Sequence, residues 1–101
     1  MLLDREIEKS LKTFIEEDLK LTEPPKDIAI TRLRKIWKIE GSEYEFLYGE
    51  KIGFFTGIGT GMVFHKFKRA VSSEETDQIF DIVESYASKI RDYLARYKAS
   101  R

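Results

Sequence analysis

The residues best suited to chemistry by type and spacing are Gly57-Ile58-Gly59-Thr60-Gly61. Glycine-rich loops hold phosphate because a backbone without Cβ can approach the anion while a following helix points its N–H groups at it. Here the sequence continues Met62-Val63-Phe64-His65-Lys66-Phe67, which reads as a strand, and it matches neither G-x-G-x-x-G nor a Walker loop. The glycines are therefore read as a turn, or as a strand face on which another backbone packs closely. His65 is the only histidine. No further ligands stand at metal spacing around it, and no carboxylate is placed to make it a general base. The absence of cysteine excludes thiolate catalysis, disulfides and cysteine metal sites. No catalytic motif is found, and no cofactor, metal or small-molecule ligand is expected.

Two basic runs suggest a different chemistry. Arg32, Arg34, Lys35 and Lys38 form one, and Lys66, Lys68 and Arg69 the other. Interleaved with Trp37 and Phe67, they have the charge-plus-stacking composition of a nucleic-acid face. Against this, 18 basic and 18 acidic residues leave a net charge of zero, whereas nucleic-acid binders are usually basic overall. Nucleic acid is therefore the second reading.

The elements that must position these residues are bounded by composition. A chain of 101 residues has room for one domain and one core, and 42% hydrophobic residues suffice to fill it. The start, Met1-Leu2-Leu3-Asp4-Arg5-Glu6, carries no signal-type apolar region. The longest uncharged run, Ile52 to Phe64, is thirteen residues, against about 20 for a membrane span. A cytoplasmic protein without membrane contact is expected. Asparagine is absent, Gln78 is the only glutamine, and 36% of residues are charged, a pattern shared with proteins from hot environments.

Residues 2–21 read as a helix through Leu3, Ile7, Leu11, Phe14, Ile15 and Leu19, ended by Pro24-Pro25. Residues 27–40 fit a helix or a strand. A two-residue turn at Gly41-Ser42 favours the strand, since it pairs Ile39 with Tyr44, Lys38 with Glu45, Trp37 with Phe46 and Ile36 with Leu47. A second turn at Gly49-Glu50 adds another strand, giving 28–40, 43–48 and 51–56, with 62–68 as a fourth. Ser72 and Glu75 form a capping box that opens a last helix over 73–98. The expected fold is a single α+β domain: an N-terminal helix, an antiparallel three- or four-stranded β-meander and a long C-terminal helix.

In that fold Leu33, Trp37, Ile39, Tyr44, Phe46, Tyr48 and Phe55 face the helices. The opposite sheet face carries Ile28, Ile30, Ile36, Leu47, Ile52 and Phe54, which is too apolar to be left in water. The last helix has a heptad-like seam through Ile79, Val83, Tyr86, Ile90, Tyr93 and Tyr97. The expected function is a non-enzymatic homodimeric interaction module. Its candidate interface is the outer sheet face together with Ile90, Tyr93 and Tyr97.

Overall fold

A computed structural model of the chain describes residues 2–20 and 43–99. They form helices α1 (Arg5–Leu19), α2 (Glu43–Phe67), α3 (Ser73–Ser85) and α4 (Ala87–Ala99). No strand occurs among the described residues. The β-meander is therefore wrong. Segments 43–48, 51–56 and 62–68 are not strands: α2 runs through the first two and as far as Phe67 in the third. The Gly49-Glu50 turn lies inside the same helix. The expected strand 28–40 and the Gly41-Ser42 turn lie outside the described residues.

α1 begins at Asp4, whose Oδ1 accepts from the backbone N–H of Glu6 at 2.9 Å and of Ile7 at 3.1 Å. That capping leaves two fewer N–H groups without a partner at the helix start. Leu3, Ile7, Leu11, Ile15 and Leu19 recur every four residues and are all buried. Their stripe packs on α2, the element at the centre of the molecule.

α2 is helical because its buried residues follow the helical period once neighbours surround it. Phe55, Gly59 and Val63 are buried at four-residue steps, with Tyr44, Tyr48 and Ile52 half-buried above them. Thr56 and Thr60, which sequence propensity assigns to strands, donate their hydroxyls to the carbonyls of Ile52 and Thr56 at 2.8 and 2.9 Å. Such back-bonding satisfies a threonine hydroxyl inside a helix. Gly59 lets two helices approach: a Cβ there would stand 2.9 Å from Ile79 Cγ2 and 3.0 Å from Leu11 Cδ2. Lys68, with φ of 55°, turns the chain left-handed just past α2, and its N–H donates to Phe64 O at 2.8 Å.

The capping box is present as expected. Ser72 Oγ accepts from Glu75 N at 3.1 Å, and Glu75 Oε1 accepts from Ser72 N at 2.9 Å. The expected helix over 73–98 is instead two helices meeting at Tyr86, whose N–H donates to Val83 O at 3.0 Å. The break accompanies a side-chain anchor. The Tyr86 ring is buried and its hydroxyl donates to Glu16 Oε1 of α1 at 2.8 Å. The core joins Leu11, Ile15, Phe55, Val63, Ile79, Val83 and Ile90, each fully buried.

Candidate interaction surface

An amphipathic helix gives one stripe to the core and one charged face to water, whereas a helix apolar all round is covered on every side. α2 is apolar on both sides from Ile52 to Phe64, but the described residues cover only its inner side. Its inner side meets α1, α3 and α4. Its outer side carries Gly49, Gly53, Gly57, Gly61 and Phe64, all exposed, with half-buried Phe46 and Thr60 beside them. Phe64 is 59% exposed, and Phe54, at the edge of this face, is 40% exposed. The one cation in the middle of α2, Lys51, turns inward to Asp18 Oδ2 at 2.8 Å. Its Nζ lies 5.0 Å from the Tyr93 ring centroid and 5.5 Å from those of Phe54 and Phe55. Asp18 Oδ2 is buried without an aligned hydrogen bond, so its link to Lys51 is an ion contact. Between Glu50 and Lys66, both exposed, the outer face carries no formal charge.

The outer glycines differ in kind from Gly59. A Cβ at Gly49, Gly53, Gly57 or Gly61 would meet nothing within 4 Å among the described residues. Each glycine in a helix interior costs about 1 kcal/mol relative to alanine. Four of them forfeit about 4 kcal/mol, comparable to the whole stability of a small domain. Packing among the described residues explains Gly59. It does not explain the other four.

The basic residues that can be placed are largely engaged. Lys66 Nζ donates to Asp4 Oδ1 at 3.0 Å and to Glu6 Oε2 at 2.9 Å. Those bonds, first to Glu6 and then to Asp4, raise the Lys66 pKa, while Lys66 and the Ile7 N–H lower that of Asp4. Arg69 grips Glu75 through two bonds of 2.8 and 3.1 Å. The Glu75 carboxylate is buried, and Arg69, with help from the Ser72 N–H, holds its pKa down to about 2. Lys68 is exposed, and the Arg69 and Lys66 cations lie 5.1 and 5.6 Å from the Phe67 ring. Arg32, Arg34, Lys35 and Lys38 lie outside the described residues.

The structure separates the residues expected to form an interface. Ile90 and Tyr93 belong to the core of the single chain, and Leu47 and Ile52 pack against that core half-buried. Phe54 is exposed. Ile28, Ile30 and Ile36 lie outside the described residues, as does the side chain of Tyr97. The outer face of α2 was missed, although its signal is plain: glycine at 49, 53, 57 and 61 recurs every four residues, a helical and not a strand period.

Other chemistry finds little support in the geometry. A cavity of about 540 Å³ opens between the end of α1 and α4, lined by Glu16, Leu19, Lys20, Lys89, Asp92 and Arg96. Two of its polar groups are engaged, Glu16 by Tyr86 and Arg96 by the Leu19 carbonyl at 2.9 Å. Among the described residues no group of three or more histidines and carboxylates could hold a metal ion. No described helix is long and apolar enough to cross a membrane. No family model, curated protein or solved structure matches the chain, so its residues alone carry the functional reading.

Proposed function

We propose that the protein is a non-enzymatic interaction module that works as a homodimer, with the outer face of α2 as its contact surface. One observation carries this reading: a face that carries no formal charge between Glu50 and Lys66 and bears an exposed phenylalanine, on the central helix of a chain that is 36% charged. Burying one phenylalanine favours association by about 1.5–3 kcal/mol. A 25-residue helix is about 37 Å long and presents a face about 10 Å wide. That is on the order of 400 Å² per copy, about half the area of a standard interface.

Association in the micromolar range is therefore expected. Sedimentation equilibrium from low micromolar to millimolar protein should show monomers giving way to dimers. A monomer mass throughout would refute the reading. The nucleic-acid alternative needs several uncommitted cations. Lys66 and Arg69 instead hold carboxylates of their own chain, which favours the interaction module.

A further inference from the structure

We infer that two copies pair antiparallel, α2 against α2, crossing where the outer glycines allow the backbones to approach. The inference rests on the self-association proposed above and adds its geometry. Among the described residues each outer glycine leaves open space where a side chain would stand, at positions where alanine would make a better helix. A close helix crossing uses that space, since approach is limited by the first side-chain atom on each backbone. A two-fold axis midway between Gly53 and Gly57 sets Gly53 against the partner's Gly57, and Gly49 against the partner's Gly61. Phe46 then falls opposite the partner's Phe64. Every contact is matched by its symmetric copy, as an isologous interface requires.

Charge decides the direction. Glu45 already pairs with Arg91, and Lys66 with Asp4 and Glu6, so the charges left to decide are Glu50, exposed in the first third of α2, and Lys68, exposed just past its end. A parallel pair would place Glu50 beside the partner's Glu50 and Lys68 beside the partner's Lys68. It would also align the two helix dipoles in the same sense. An antiparallel pair brings the acidic end of each helix to the basic end of the other and opposes the dipoles.

The chain has no cysteine, so an introduced thiol reports on its own position. Gly49→Cys and Gly61→Cys place thiols about 9 Å along the helix from the crossing. At a shallow crossing of about 20° the helices diverge there by only about 3 Å. Each variant is oxidised alone and as an equimolar mixture, with one bearing a mass tag. The antiparallel pair predicts a covalent heterodimer in the mixture, several-fold in excess of either homodimer, because like positions lie about 18 Å apart and a disulfide needs Cα atoms within about 7 Å. Gly49→Cys cross-linking to itself as well as in the mixture overturns the antiparallel arrangement. A sedimenting dimer with no cross-link in any sample places the contact elsewhere, which defeats this geometry and leaves the homodimer standing. A monomer at every concentration defeats both. The unmodified chain gives a second reading: antiparallel association weakens as salt rises, and an association that strengthens with salt contradicts the charge argument.

Discussion

Glu75 shows how much one carboxylate can hold. It closes the capping box of α3 and takes both Arg69 bonds at the junction where α2 turns into α3. Its ordinary pKa of 4.5 falls to about 2, chiefly through Arg69. A carboxylate whose pKa is lower in the folded chain adds stability that is full above its unfolded pKa. That stability drains away as pH falls from about 4.5 toward 2. Glu75→Gln should therefore lower stability at pH 7 by about 2 kcal/mol, the scale of a lost charge-assisted bond. At pH 2 the variant and the unmodified chain should be nearly equal. Urea unfolding at both pH values checks this, and a constant gap would show that packing, not charge, carries the site.

At the scale of elements, α2 explains what the sequence revealed and what it concealed. The stripe of α1 and the capping box of α3 were legible because each signal is local. The stripe repeats every four residues, and Ser72 and Glu75 find each other within one turn. α2 was not legible because aromatic, β-branched and glycine residues all favour strands and turns locally. Its helix is fixed by long-range burial of Phe55, Gly59 and Val63 among three other helices. Pairing Ile39 with Tyr44, Trp37 with Phe46 and Ile36 with Leu47 across a turn matched apolar to apolar because aromatic and aliphatic residues are dense on both sides of it. Such a match carries no register information.

The glycines test this account of α2. Gly59→Ala must force Ile79 or Leu11 aside, an overpacking cost of about 2 kcal/mol against about 1 kcal/mol gained in helix propensity. A net loss of about 1 kcal/mol is expected. Gly57→Ala meets open space among the described residues and should instead stabilise the dilute monomer by about 1 kcal/mol. Chemical denaturation at low micromolar concentration measures both. Equal effects at the two positions would mean that the inner and outer sides of α2 are wrongly assigned.

At the scale of the whole molecule, the described helices form one core from which two expected interface residues, Ile90 and Tyr93, are withdrawn. An apolar surplus was legible in the sequence, as more apolar residues than one helix-covered face accommodates. Its location was not, because a wrong sheet assigned the residues to wrong faces. The surplus that can be placed lies largely along α2, in Phe54, Phe64 and Phe67. The most direct measurement of the central claim is the self-association constant of Phe64→Asp beside Leu2→Asp. Leu2 is 81% exposed and lies outside α2, so it controls for the loss of an apolar group at the surface. The account predicts that Phe64→Asp weakens the dimer by about 30-fold or more, the scale of a lost anchor residue, while Leu2→Asp leaves it unchanged. A dimer equally tight in both variants would contradict it.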